Sequence, residues 1–241
     1  MPELITLPAA DAVAERAADL VLAAALQAVV ERGRFLWVLA GGSTPEKLYR
    51  LLATGHYREN FPWAQTFVFA GDERFVDETD PAHNFMLARR VLLDHVPLPP
   101  ANRYPIETYL PSAGDAAEEY GDRLADFFAG QPIVFDLVLL GLGDDGHTAS
   151  LFPGKPELSE TRFPVIASEP GVLPPPVERV SLSFIALNAA RQVLFLVTGE
   201  KKRDALARML SPNADVNVTP AAGVRPTNGT LTVLADTAAS G

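Results

Sequence analysis

Cysteine is absent from this chain of 241 residues. That excludes disulfides, a thiolate nucleophile and cysteine metal sites, and it accords with a reducing compartment. No run of 18 apolar residues occurs, so no membrane-spanning helix is expected. The start, "MPELITLPAADAVAERAADL", places Asp11, Glu15 and Asp19 where a signal peptide needs a basic start and an apolar run. A cytoplasmic location is therefore the expectation. Positive charge is scarce: 20 Lys and Arg stand against 30 Asp and Glu, a formal net charge of −10. A chain this acidic repels nucleic acid and anionic membranes, so neither is an expected partner. A phosphorylated ligand would have to be held by a few convergent donors against the overall field. Three motifs are also missing. Without G-x-S-x-G, Ser43 and Ser150 are poor nucleophile candidates. Without H-E-x-x-H or similar spacing, no metal is expected. Without G-x-x-x-x-G-K-[ST], there is no Walker loop.

What is present is ordinary in bulk: 48% apolar and 21% charged residues, enough for a substantial core. Residues 11–32 read as a helix, with Val13, Ala17, Leu20, Val21, Ala24 and Ala28 at helical spacing and Gly33 as its C-terminal cap. "RFLWVLA" (34–40), "TFVFA" (66–70) and "FDLVLL" (135–140) are short continuous apolar runs, as expected of strands covered on both faces. "RVSLSF" (179–184) alternates, "QVLFLV" (192–197) is continuous, and "TLTVLA" (230–235) is a last strand. Helices are expected after "GGST", with Thr44 as N-cap and Pro45 as first helical residue, near 82–95, over 114–129, and after "GEKK". Strands alternating with helices predict an α/β fold with a largely parallel sheet. The proline-rich piece 169–179 reads as a surface connection within a single domain spanning 1–241.

Open α/β sheets bind ligands beyond the carboxyl ends of their strands. Three strands here end in polar clusters: "GGST", "GDER" and "GLGDDGH". Gly42 and Ser43 stand at a helix N-terminus, a natural anion site. In "GDER", Arg74 is suited to stand over developing negative charge, held by a carboxylate. "GLGDDG" satisfies G-x-G-x-x-G, but a diphosphate would meet Asp144 and Asp145, and Pro153-Gly154 breaks the helix that should follow. The same loop suits catalysis. His147 follows three glycines that allow close approach, and Asp144 or Asp145 stands ready to fix its tautomer. The other histidines, His56, His83 and His95, lack comparable surroundings and read as structural or surface residues.

At this point a resemblance enters. "GLGDDGHTASLFPG", with "LAGGSTPEKLYRLL", "GDERFV", "DPAHNF" and "VTGEKKRDAL", is similar in order and spacing to the 6-phosphogluconolactonase family along nearly the whole chain. The resemblance implies a Rossmann-like sheet flanked by helices, similar to glucosamine-6-phosphate deaminase but without a nucleotide. It implies hydrolysis of 6-phosphoglucono-δ-lactone to 6-phosphogluconate, in the pentose phosphate pathway, with no cofactor. It further implies Gly42, Ser43, Arg179 and Lys202 as phosphate contacts. Lys201 competes with Lys202 for its place by eye, and Lys202 keeps the G-x-x-K spacing from Gly199. Asp72 and Asn84 are implied as sugar contacts, although His83 stands before Asn84 where many relatives carry serine. The family pattern favours Asp145 as the partner of His147. Two other readings compete with it. Deaminases of this type carry glutamate where this chain has Phe152, and tyrosine where it has Arg74. A non-catalytic sugar-phosphate sensor would normally append a DNA-binding module. The expected partner is thus a phosphorylated sugar lactone, and between monomer and weak dimer the sequence does not choose.

Overall fold

The computed structural model describes residues 2–170 and 176–241. Seven strands form one sheet in the order β1-β10-β9-β6-β2-β3-β5, every neighbouring pair parallel. They are β1 (Glu3–Leu7), β2 (Phe35–Leu39), β3 (Thr66–Ala70), β5 (Arg103–Tyr104), β6 (Leu137–Gly141), β9 (Gln192–Val197) and β10 (Thr230–Asp236). The central strands are apolar on both faces because helices cover both: every residue of β2 is buried, as are Leu137–Leu140 of β6. The long helix α1 (Ala10–Arg32) buries Val13, Ala17, Val21, Ala24 and Ala28, so alanines let it lie close to its neighbours. It stops at Gly33, whose φ of 74° is one that glycine adopts without strain and whose N–H bonds back to Val29. Further helices are α2 (Ser43–Leu52), α3 (Gly55–Asn60), α4 (Asn84–Ala88), α5 (Ala113–Phe127), α6 (Phe184–Asn188), α7 (Arg203–Leu210) and α8 (Thr237–Ser240).

A second, three-stranded antiparallel sheet runs β4 (Asp72–Arg74), β8 (Arg179–Leu182), β7 (Val165–Ser168). It corrects two expectations. "GDER" is not only the exit from a strand, because after Gly71 the chain enters β4. "RVSLSF" is not part of the parallel sheet, because its strand pairs antiparallel with β4 and β7. Its alternation is real but both faces are buried: Val180 and Leu182 join the core, while Arg179 and Ser181 are buried polar residues on the other side. Gly71 joins the two sheets. Its N–H bonds to Leu39 O and its carbonyl accepts from Leu182 N–H. A Cβ there would stand 2.8 Å from Leu39 O, so only glycine fits this crossing.

The start of α2 is a further correction. The helix begins at Ser43, with Gly42 as its N-cap at φ 100°, and Pro45 is the third helical residue. Proline is tolerated there because the first-turn N–H groups have no intrahelical partner anyway. Part of the proline-rich stretch 169–179, residues 171–175, lies outside the described residues. No described helix is long and apolar enough to cross a membrane.

One side chain fixes the turn between β2 and α2. Tyr49, fully buried, donates its hydroxyl to Ala40 O at 2.7 Å and accepts Ala40 N–H at 3.0 Å. Burial pushes its phenol pKa upward, so it stays neutral and keeps both bonds. Tyr49→Phe should cost about 1–2 kcal/mol, since both backbone groups of Ala40 lose this partner. A urea titration of both proteins checks it: a lower midpoint with unchanged slope is expected.

Candidate active site

Parallel strands direct all their carboxyl ends to one edge of the sheet. From β2 the chain proceeds outward to β3 on one side, while β6 and β9 build the other side. The β2–β6 boundary is therefore a topological switch point, where the loops leaving adjacent strands diverge and open a crevice. A cleft of about 220 Å³ lies there. It is lined by residues leaving four strands: Gly41–Thr44 after β2, Asp72 and Arg74 after β3, Gly143 and His147 after β6, Thr198 and Lys202 after β9. Asn84 and Arg179 complete its wall. Thus Gly42, Ser43, Asp72, Arg74, Asn84, His147, Arg179 and Lys202 line one cleft, and Asp145 stands behind His147.

The loop after β6 is held by its own backbone. Gly143 N–H bonds to His147 O, Gly146 N–H to Gly143 O, and the Thr148 hydroxyl to Gly141 O. Asp145 then closes on the histidine, accepting His147 N–H at 3.0 Å and lying 2.6 Å from Nδ1 through the same oxygen. Burial pushes the Asp145 carboxyl up, but its hydrogen bond with His147, the histidine's charge and backbone N–H groups outweigh burial and hold it below the usual carboxylate range. An ionised Asp145 accepts the Nδ1 proton and leaves Nε2 as the basic ring nitrogen. Glycine is required at 143, where a Cβ would lie 2.0 Å from His147 Nδ1. The reason for the second glycine of "G-x-G" is thus the aspartate–histidine pair, not a pyrophosphate. Phe152, 2% exposed, packs against the histidine with ring centroids 4.8 Å apart and planes tilted by 43°. Its own ring carries the Arg179 guanidinium at 5.2 Å.

Arg74 and Arg179 are direct cross-strand partners in the β4–β8 pair. Like charges opposite each other are destabilising in a sheet, so this juxtaposition needs compensation. Burial pushes the Arg179 pKa down, Asp72 raises it, and Arg74 lowers it further. Asp72 sits beside them, 8% exposed, accepting the Ser150 hydroxyl at 2.7 Å. The carboxylate expected to hold Arg74 does not pair with its guanidinium. Successive residues of a strand point to opposite faces, so Glu73 is buried behind β4 while Asp72 and Arg74 line the cleft. The Arg74 guanidinium is held instead by Ala82 O at 2.7 Å and Asn84 Oδ1 at 2.8 Å, both from Nη1.

Gly42 and Ser43, also in the cleft lining, begin α2, whose first-turn N–H groups have no intrahelical partner. Lys202, in the same lining, is ion-paired with Asp144 at 2.5 Å. The two adjacent aspartates thus divide their work: Asp145 meets the histidine and Asp144 meets the lysine. Residues that the sequence reading did not single out for the site are Thr44 and Thr198, whose hydroxyls join at 2.9 Å, and Ser150 under Asp72. Thr198, two residues before "EKK", had a signal in its position after a strand; Ser150 had none beyond its place in the loop. His83, read as structural or surface, is buried against Glu73 at 2.9 Å. Among the described residues no group of three His, Asp or Glu side chains is placed to hold a metal ion.

The family model for glucosamine-6-phosphate isomerases/6-phosphogluconolactonase matches residues 8–233. A 6-phosphogluconolactonase of Synechocystis is 40% identical over 216 residues, covering 88% of this chain and 86% of that protein. The structure of the Trypanosoma brucei 6-phosphogluconolactonase superposes with a TM-score of 0.88 at 29% identity, over 99% of this chain and 97% of that one. A monomeric glucosamine-6-phosphate deaminase shares the fold, with a TM-score of 0.79 at 21% identity over 98% of each chain.

The Asp145–His147 pair predicts a pH dependence of stability. A carboxyl whose folded pKa is lowered contributes stability that is complete above its unfolded value, about 3.9, and is lost as pH falls through the folded value. Asp145→Asn should therefore flatten the acid limb, losing less stability than the parent between pH about 5 and the folded pKa. Urea midpoints measured against pH for the two proteins check this.

Proposed function

The chain belongs to the glucosamine-6-phosphate isomerase/6-phosphogluconolactonase family, and on that premise we propose that it hydrolyses 6-phosphoglucono-δ-lactone with His147 as general base. The observation that carries the reading is one cleft holding an Asp145-paired histidine together with two cross-strand arginines.

The phosphate docks on the α2 N-terminus at Gly42 and Ser43, with Lys202 and Arg179 supplying charge. Asp144 releases Lys202 to the incoming phosphate, exchanging one anion for another. Asp72 and Asn84 contact the sugar. Anchoring the phosphate brings the lactone carbonyl to the His147 end of the cleft. Nε2 takes a proton from water as the water oxygen forms its bond to the carbonyl carbon. Asp145 stabilises the resulting imidazolium and keeps its Nδ1 proton in place. Arg74 stabilises the negative charge on the tetrahedral oxygen. As the intermediate collapses, the bond from carbon to ring oxygen breaks and Nε2–H protonates that oxygen, yielding 6-phosphogluconate. Base catalysis contributes about 10²–10⁴-fold and a placed oxyanion donor about 10²–10³-fold. Together these suffice for a δ-lactone, which already opens in water. No step calls for a metal or organic cofactor.

Phe152 supports the lactonase reading over the deaminase. Ring-opening of an amino sugar needs a second ionisable group beside the histidine, and an apolar ring occupies that place.

Coupled hydrolysis of freshly generated 6-phosphogluconolactone, with glucosamine 6-phosphate as control, tests the activity. Lactone turnover without ammonia release is expected, and the reverse would overturn the assignment. His147→Ala should lower kcat by about 10²–10⁴-fold with the circular dichroism spectrum unchanged. Near-parental turnover in that variant would remove His147 from the mechanism. Lys202→Ala and Arg179→Ala should raise KM by about tenfold or more, as loss of a charge-assisted bond implies, and an unchanged KM would refute the phosphate assignment.

A further inference from the structure

Glu73 is fully buried, one residue from the cleft but on the opposite face of β4. A buried carboxylate is costly unless its oxygens are satisfied. Here Oε1 accepts the N–H groups of Arg74 at 2.9 Å and Asn84 at 2.6 Å. Oε2 accepts the N–H of Phe85 at 2.8 Å and lies 2.9 Å from His83 Nδ1. His83 is 5% exposed and its Nδ1 also faces the Met86 N–H, at the start of α4. One side chain therefore ties β4 to the whole 83–85 segment.

That segment supplies what aims Arg74. Asn84 Oδ1 accepts from Arg74 Nη1, and Asn84 Nδ2 donates to Asp72 O at 3.2 Å. The other acceptor of Nη1, Ala82 O, lies just before the tied segment. On its remaining side the Asn84 amide presses on the β2–α2 turn, where a Cβ at Gly41 would meet Asn84 Oδ1 at 2.0 Å. Arg74 thus takes its direction from groups that Glu73 anchors, without touching Glu73 through its guanidinium.

We propose that Glu73 is a positioning residue for the hydrolysis: by docking residues 83–85 on β4 it sets where Arg74 meets the tetrahedral intermediate. The inference rests on the reading of Arg74 as the group that stabilises that intermediate. Glu73→Gln preserves shape but must turn an amide NH₂ toward one set of backbone N–H donors, forcing the 83–85 segment to shift. Displacements of about 1 Å at a positioned group can cost about 10²-fold in rate.

The test is a double-mutant cycle read by steady-state kinetics, with circular dichroism at the assay temperature. Glu73→Gln should lower kcat by about tenfold or more with a smaller rise in KM, because Asn84, a sugar contact, shifts along with Arg74 while Lys202 and Arg179 still hold the phosphate. Arg74→Ala should lower kcat by about 10²–10³-fold. Adding Glu73→Gln to Arg74→Ala should lower kcat by less than about twofold further, as residues acting through one another are not additive. Parental kcat in Arg74→Ala would overturn the Arg74 reading and the inference with it. With the Arg74 effect intact, parental kcat in folded Glu73→Gln, or an equal loss in both backgrounds, would overturn the role of Glu73 alone. Should Glu73→Gln melt below the assay temperature, Glu73→Asp carries the same cycle, since it keeps the charge and retracts the carboxylate by one methylene.

Discussion

The parallel sheet constrains everything else in this protein. Parallel pairing of seven strands brings all their carboxyl ends to one edge, and the reversal of strand order at the β2–β6 boundary parts the loops there. A cleft at that boundary follows from the topology, before any side chain is chosen. The three polar clusters then need no long-range recognition of one another. Each lies at the end of a buried apolar strand, and burial of those strands draws the clusters together.

The second, small sheet solves a problem that the first creates. Three cations, Arg74, Arg179 and Lys202, stand in the cleft of a chain with net charge −10, among many carboxylates. Pairing β4 with β8 sets Arg74 opposite Arg179 and uses the strand's two faces to separate the acids. Asp72 shares the cleft with the arginines, Glu73 is turned behind them, and Phe152 offers Arg179 an uncharged surface. The repulsion between the two guanidinium groups is a cost that an anion placed between them would relieve. Asp144 likewise gives Lys202 an anionic partner.

Much of the main sheet was legible because its strands are short apolar runs, the signature of burial on both faces. "QVLFLV" coincides with β9, and α1 with its Gly33 cap departs from expectation by one residue. The strands that escaped notice have physical reasons to do so. β1 lies at the sheet edge, largely exposed, and β5 is two residues long. β4 consists of Asp-Glu-Arg, whose burial rests on hydrogen bonds rather than apolar contact, so hydropathy carries no trace of it. α2 begins two residues earlier than its threonine and proline suggest, because a glycine at φ 100° makes the cap with backbone alone.

The chemistry was present in the linear order. Strand ends bearing "GGST", "GDER" and "GLGDDGH", and a histidine two residues after an aspartate, are local facts that no tertiary context can alter. The sequence by itself determined the fold class, the family and the residue types at the cleft, because each depends on patterns within a dozen residues. Only the tertiary structure decided how those residues are shared out. It gave Asp145 to His147 and Asp144 to Lys202, placed Arg74 opposite Arg179, and turned Glu73 away from its neighbour's guanidinium. Such choices depend on side-chain direction and on pairing between strands more than a hundred residues apart, which neither composition nor spacing encodes.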